Sequence, residues 1–179
     1  QVETAGGPLQ LTRSAAGQIT VDMGVPRLEP AEIPFIAPAR DITYALDANN
    51  VRVEIAAVSM GNPHAVLLVD AVDSAPVEEL GPILENHPRF PERVNVGFME
   101  IVDADTIRVR VYERGAGETR ACGSGACAAV LAGRLLERLA ARVKVLLHGG
   151  ELVVSWAGAG HPVLMTGPAT TVYQGRIDL

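Results

Sequence analysis

An α+β fold is what this sequence predicts, and three observations predict it. Short alternating apolar runs, separated by glycine, proline and Asp/Asn turns, recur along most of the 179 residues. One segment alone, beginning near Gly125, sustains a 3.6-residue apolar period over several turns. Strands do not alternate with helices of comparable length, so a βαβ repeat is not expected.

The elements follow in order. Leu9 to Leu11 and Gln18 to Met23 read as strands around a Ser14-Ala-Ala-Gly17 turn. Pro26, Pro30, Pro34 and Pro38 then punctuate an extended, irregular stretch. Thr43 to Leu46 and Val51 to Val58 form a predicted hairpin with Asp47-Ala-Asn-Asn50 as its turn, and Ala65 to Asp70 is a compact apolar strand. Val77 to Glu85 fits a short helix, with Ser74 as N-cap and Pro76 near its first position. Val94 to Asp103 and Thr106 to Tyr112 read as strands around an Asp-Ala-Asp turn. The long helix is expected over Gly125 to Ala141, with Ala126, Ala129, Val130, Gly133, Leu136, Leu139 and Ala140 on its apolar side. Its small early residues let it sit close to a sheet or inside a barrel. Strands are expected at Val143 to Leu147, Glu151 to Trp156 and Pro162 to Gly167, and Thr170 to Leu179 as a closing strand.

Composition narrows the function. The chain is 48% hydrophobic and 20% charged, which is globular and suits one domain or two small ones. A formal charge of −6 argues against non-specific nucleic-acid binding, which needs basic surface against phosphates. No apolar run reaches the roughly 20 residues that span a bilayer. Cys122 and Cys127 are too few to staple a secreted scaffold, and no secretory leader opens the chain, so a reducing, cytoplasmic setting is expected. The chain opens at Gln1 rather than Met, so a preceding segment is expected to have been removed. Lys144 is the single lysine and lies in an alternating strand-like run without a phosphate cradle, which disfavours pyridoxal phosphate.

The richest stretch for chemistry runs from Val111 to Ala129, where a strand enters a glycine-rich loop and the loop enters the long helix. Cys122 falls just before the helix, and Gly123, Ser124 and Gly125 occupy its first turn. Backbone N–H groups there lack intrahelical partners and, with the helix dipole, favour an anion. The same field can stabilise a thiolate, and a thiolate beside a bound carboxylate can remove the proton α to it. A tight strand-to-helix turn with Cys122 as buried filler fits the same spacing equally well. Cys127, inside the helix among alanines, reads as a small core residue. A metal site joining the cysteines to His64 or His161 lacks any familiar ligand spacing. Gly61-Asn62-Pro63 is a turn signal, with Asn62 able to donate and accept and His64 a titratable neighbour; on pattern alone, turn and surface roles are favoured for both.

Four segments together resemble the diaminopimelate epimerase family: Ser59-Met-Gly-Asn-Pro-His64, Phe90-Pro-Glu-Arg-Val-Asn-Val-Gly-Phe98, Tyr112 to Cys127 with its Glu-Arg-Gly-Ala-Gly-Glu-Thr and Ala-Cys-Gly-Ser-Gly runs, and Gly160-His-Pro-Val-Leu-Met-Thr-Gly-Pro168. They span essentially the whole chain in the right order. The resemblance implies one half of a pseudo-symmetric enzyme, a mixed sheet wrapped around one central helix, with substrate in the cleft between halves. It implies cofactor-independent interconversion of L,L- and meso-diaminopimelate, a step toward lysine and peptidoglycan precursors. No metal is implied. A cysteine from each half works on opposite faces of the α-carbon.

Residue by residue, Cys122 matches the second-half cysteine, usually the proton acceptor. Gly123 and Ser124 match the backbone donors to the α-carboxylate. Asn62, Asn95, Glu113 and Arg114 match the group holding the distal amino-acid end, and His64 and Glu113 match residues that tune cysteine protonation. Tyr173 matches a dimer-interface position, so a homodimer is implied. The family's first-half Cys-Gly-Asn-Gly turn has no counterpart in residues 1–60. Residues 1–22 and 168–179 are accordingly expected to belong with a missing N-terminal half and 23–167 to form the C-terminal domain. The isolated chain is expected to be inactive and to self-associate through open edges. Two other readings stay open: a non-catalytic binding or assembly module of the same fold, and a related racemase for a substrate such as proline.

Overall fold

The computed structural model describes residues 2–4, 7–49 and 51–177. Among the described residues, thirteen strands and two α-helices follow the chain. The strands are β1 (Val2–Thr4), β2 (Gly7–Leu9), β3 (Leu11–Arg13), β4 (Ile19–Asp22), β5 (Tyr44–Ala48), β6 (Val51–Ser59) and β7 (Pro63–Leu68), then β8 (Asn95–Asp103), β9 (Thr106–Glu113), β10 (Gly117–Thr119), β11 (Arg142–Leu147), β12 (Gly150–Trp156) and β13 (Val163–Gly167). Helix α1 is Val77–Glu85 and α2 is Gly123–Leu135.

Period-two alternation builds two cores on the two faces of one sheet. In β9, Ile107, Val109 and Val111 face α2, whereas Tyr112 faces α1. In β6, Ala56 and Val58 face α2, while Ile55 and Ala57 lie on the opposite face. The sheet runs β3-β4-β13-β12-β11-β9-β8-β7-β6-β5, with β10 paired to β9 beyond the short β11 pairing. Neighbours are antiparallel except β7 with β8 and β9 with β11, so the sheet is mixed. It curls around α2, which touches strands from β6 to β13, and every α2 residue from Gly125 to Gly133 is buried. Such complete burial explains a helix that is apolar all round. The second core packs Val77 and Leu84 of α1 against Val96 and Phe98 of β8. Phe35 stacks on Phe90 at 4.6 Å between ring centres, edge-on to Tyr44 at 4.7 Å. The architecture is the expected α+β arrangement of a mixed sheet around one central helix.

Several local expectations are corrected. Helix α2 begins two residues earlier than expected and ends at Leu135 instead of Ala141, because Glu137 adopts a left-handed backbone (φ +57°) and turns the chain back. Ser74 does not cap α1; it ends a 3-10 turn over Val72–Ser74 and donates to the Ala71 carbonyl, and Pro76 precedes the helix without a side-chain cap. The expected Leu9 to Leu11 strand divides at Gln10, Leu9 ending β2 and Leu11 opening β3, and β10 is a strand the sequence pattern does not mark. No strand forms over 170–177, because this exposed segment finds no ladder partner among the described residues. Leu179 and Asn50, parts of the expected closing strand and hairpin turn, lie outside the described residues. β4 pairs with β13 over Ile19–Asp22, so the N-terminal segment here extends the same sheet. No helix among the described residues is long and apolar enough to cross a membrane.

Candidate functional site

Strand directions gather the chemistry at one end of the sheet. β7 and β8 are parallel neighbours, with His64 opposite Asn95 at their starts. β9 is antiparallel to β8, so its end, Glu113, arrives at the same edge. The β6–β7 turn delivers Asn62, helped by Gly61 at φ +94°, where any side chain would be strained. Helix α2 then begins beneath, with Cys122 as its N-cap. Asn62, His64, Asn95, Glu113, Arg114, Cys122, Gly123 and Ser124 are therefore neighbours in space, although 62 residues separate Asn62 from Ser124 in the chain.

A line of hydrogen-bonding groups leads to the sulfur. His64 is wholly buried, and desolvation, reinforced by the positive charge of Arg114, pushes its pKa down to about 3. The imidazole is therefore neutral near pH 7. Its Nε2 lies 3.1 Å from the Asn62 Oδ1, which can only accept, so Nε2 carries the proton and donates. Asn62 Nδ2 donates to the Ser124 Oγ at 3.4 Å. The Ser124 hydroxyl lies 3.7 Å from the Cys122 Sγ, which also accepts the Gly125 N–H at 3.4 Å. Near these groups stands Glu113, whose carboxylate accepts a hydrogen bond from the Thr119 hydroxyl.

Of the two readings of Cys122 that its spacing leaves open, the surroundings of the sulfur favour a buried thiol at rest. Burial is the largest influence on Cys122 and pushes its pKa up; Ser124 and the Gly125 N–H pull it down; the nearby Glu113 carboxylate pushes it up again. The net direction is upward, so desolvation outweighs the helix terminus and the resting group is a thiol. Cys127, buried among α2 residues, is pushed to about 12 by burial and then by Cys122, as befits a core thiol.

Glycines at the α2 start are required by close packing. A side chain at Gly125 would put its Cβ 2.9 Å from the Val111 Cγ2 and 3.2 Å from the Cys122 Sγ. One at Gly123 would meet the Met165 Sδ at 3.1 Å. The first intrahelical bond is Ala126 N–H to the Cys122 carbonyl, so the Gly123 and Ser124 N–H groups precede the helical ladder and find no acceptor among the described residues.

Arg114 and Asn95 are braced together. The Asn95 side chain donates to the Pro63 carbonyl at 3.0 Å and accepts the Arg114 backbone N–H at 3.0 Å. Arg114 Nη1 donates to the Glu92 carbonyl at 2.9 Å. Sequence reasoning missed two supports. Buried Glu85 accepts the Gly115 N–H at 2.7 Å and pairs with Arg93 at 3.1 Å, tying the turn after β9 to the segment before β8. Thr119 was missed because its role depends on β10, a three-residue strand whose sequence signal is limited to Gly115 before it and Gly117 at its start. Tyr173 stands apart from this group, 85% exposed and outside any strand. Among the described residues no three His, Cys, Asp or Glu side chains gather as a metal site.

Comparison with known proteins follows from this geometry. A family model described as diaminopimelate epimerase matches residues 56–172. Proteins named diaminopimelate epimerase from Pseudomonas aeruginosa (strain UCBPP-PA14) and Chromobacterium violaceum are 56% and 58% identical over all 179 residues. The chain spans 65% of the length of each of these relatives. Among solved structures, a hydroxyproline epimerase from Agrobacterium vitis is similar over 93% of this chain and 55% of its own, with TM-score 0.60 and 18% identity. A methylitaconate-delta-isomerase is similar over 94% of this chain and 59% of its own, with TM-score 0.57 and 12% identity. These distant structural likenesses concern the fold alone.

Proposed function

This chain belongs to the diaminopimelate epimerase family, and on that premise we propose that the longer protein containing it interconverts L,L- and meso-diaminopimelate without a cofactor, in the cytoplasm, as a step toward lysine and peptidoglycan precursors. The observation that carries this reading is the hydrogen-bonded line from His64 through Asn62 and Ser124 to the Cys122 sulfur, beside two backbone N–H groups with no acceptor among the described residues. An α-carboxylate at those N–H groups would set the α-carbon next to the sulfur. Carbanion charge flowing into the carboxylate would meet donors already oriented, which is the economical way to stabilise it.

The proton balance needs two groups. One cysteine, as thiolate, takes the α-proton and leaves the bonding pair on carbon and carboxylate; the other, as thiol, delivers a proton to the opposite face. Cys122 at rest fits the donor stroke. In the opposite direction it first loses its proton and then accepts one. The second cysteine belongs to the half that this chain lacks, so the chain alone is inactive. Arg114 has N–H groups beyond its Glu92 contact for the distal carboxylate, with Asn62, Asn95 and Glu113 around the distal end. Tyr173, on an exposed tail, suits a contact made only in a homodimer or with the missing half.

Proton NMR in heavy water tests the reading, following α-deuterium uptake and stereochemistry of L,L-diaminopimelate. The longer protein is expected to exchange and invert, the Cys122→Ala variant to lose at least 100-fold of the rate, and the 179-residue chain to do neither. Undiminished exchange in the Cys122→Ala protein would overturn the role of Cys122. Exchange with inversion by the chain alone would overturn its inactivity.

A further inference from the structure

Thr119 is absent from every role assigned above by family resemblance, yet its hydroxyl donates to the Glu113 carboxylate. β10 pairs antiparallel with β9 in a register that sets Thr119 opposite Val111 and Gly117 opposite Glu113. Cross-strand partners share a face, and Glu113 lies two residues beyond Val111 on that same face. The Thr119 hydroxyl accordingly reaches Glu113 Oε1. On the other face of β10, Glu118 holds Arg110 through a two-pronged ion pair, at 2.7 Å and 2.8 Å, and Arg110 Nη1 donates to the Val72 carbonyl at 2.8 Å. The short strand is thus pinned from behind, and the Thr119 side chain has little freedom to leave its partner.

We propose that Thr119 is a positioning residue for the acid–base group: its hydroxyl engages one oxygen of Glu113 and so holds the carboxylate toward the Cys122 sulfur, where it opposes the Ser124 and Gly125 donors. The assignment rests on Cys122 being the proton-transferring group. The surroundings of the sulfur are few. Glu113 comes from β9, Ser124 and the Gly125 N–H come from α2, and Cys127 lies farther along the same helix. Neutral His64 stands on β7, and Arg114, just past the end of β9, reinforces its neutrality. Of these, Glu113 supplies the negative charge that favours the thiol, and Thr119 is what fixes its direction. Without the hydroxyl the carboxylate is free to turn toward solvent, and the thiol loses the charge that opposes its ionisation.

The test needs no substrate and no second half. Alkylation of the 179-residue chain is followed against pH, with peptide mapping to separate Cys122 from the buried Cys127. Thr119→Val is expected to lower the Cys122 midpoint by about one pH unit, a tenfold rise in thiolate fraction below it. Glu113→Gln is expected to lower it at least as far, Thr119→Ser to restore the original midpoint, and Thr119→Val combined with Glu113→Gln to add nothing to Glu113→Gln alone. Thr119→Ala repeats the measurement without a buried branched methyl, should the valine disturb the hairpin. An unshifted midpoint in Thr119→Val or Thr119→Ala while Glu113→Gln shifts, or an equal shift when Glu113 is already Gln, would overturn the proposal. Because the readout is a titration, it stands or falls separately from whether the longer protein turns over diaminopimelate.

Discussion

The two ends of α2 treat the same physical problem in opposite ways. Every helix leaves N–H groups unpaired at its start and carbonyls unpaired at its finish. At the finish, α2 satisfies itself. Arg138 N–H reaches the Gly133 carbonyl at 2.9 Å and Glu137 N–H reaches Arg134 at 3.0 Å, the paired bonds of a Schellman turn. Leu139 folds back over Gly133, and Arg134 Nη1 donates to the Leu139 carbonyl at 3.3 Å. At the start, a cysteine stands where Ser, Thr, Asp or Asn would cap more strongly, and the Gly123 and Ser124 N–H groups have no acceptor among the described residues. An end that closes on itself stabilises; an end left open is available for chemistry.

Adding one methyl group at each end gives the sharpest contrast. A Cβ at Gly133 would sit 2.7 Å from the Leu139 Cγ, and one at Gly125 would sit 2.9 Å from the Val111 Cγ2. Gly133→Ala and Gly125→Ala are each expected to cost about 1–3 kcal/mol in urea unfolding, as overpacking does. The Gly125 variant alone is expected to change the alkylation rate of Cys122, because its methyl also crowds the sulfur at 3.2 Å. Equal effects of both variants on Cys122 reactivity would erase the distinction between the ends.

Acid separates them next. Only the starting end leans on a buried histidine. The unfolded chain protonates His64 below its ordinary 6.5, whereas the folded chain does so only near 3. Its contribution to stability is therefore complete above pH 6.5 and drains as pH falls toward 3, at up to 1.36 kcal/mol per pH unit. By pH 5 the loss is expected to reach about 2 kcal/mol. His64→Gln should lack that component, so the gap between its unfolding midpoints at pH 7.5 and pH 5 should be narrower than in the unaltered chain. A gap of the same width would remove His64 from the acid response.

How far sequence foresaw this molecule follows the same division. The starting end was legible: Ala-Cys-Gly-Ser-Gly placed Cys122 at the α2 N-terminus, and the resemblance singled out Asn62 of the β6–β7 turn with His64, Asn95 and Glu113 of three strands, which the fold brings together there. What it left open was a balance. The pull of a helix terminus on a thiol can be read locally, whereas desolvation depends on everything packed around the sulfur, and that decided the direction. The finishing end misled the periodicity. Leu136, Leu139 and Ala140 continue the apolar spacing, but they do so after the chain has turned at Glu137, a residue with none of glycine's signal for a left-handed turn. Thr119 and Glu85 were hidden for a related reason, since each matters through a partner that only the tertiary fold supplies.

That turn at Glu137 carries the smallest effect and tests the finishing end directly. Residue C′ of a Schellman turn favours glycine, and a side chain held at φ +57° is strained by its Cβ against the neighbouring carbonyl. Glu137→Gly removes the strain but gives the unfolded chain more freedom to lose, so the two terms oppose each other. The side chain is exposed and has no hydrogen-bond or ion-pair partner among the described residues, so no contact is sacrificed. The net is expected to be a gain of about 0.5–1 kcal/mol in urea unfolding, with the Cys122 alkylation midpoint unmoved. A loss of stability would mean that Glu137 holds the turn through an interaction of its own side chain. A moved midpoint would mean that strain at one end of α2 is felt at the other, and that the helix transmits what its termini were taken to handle separately.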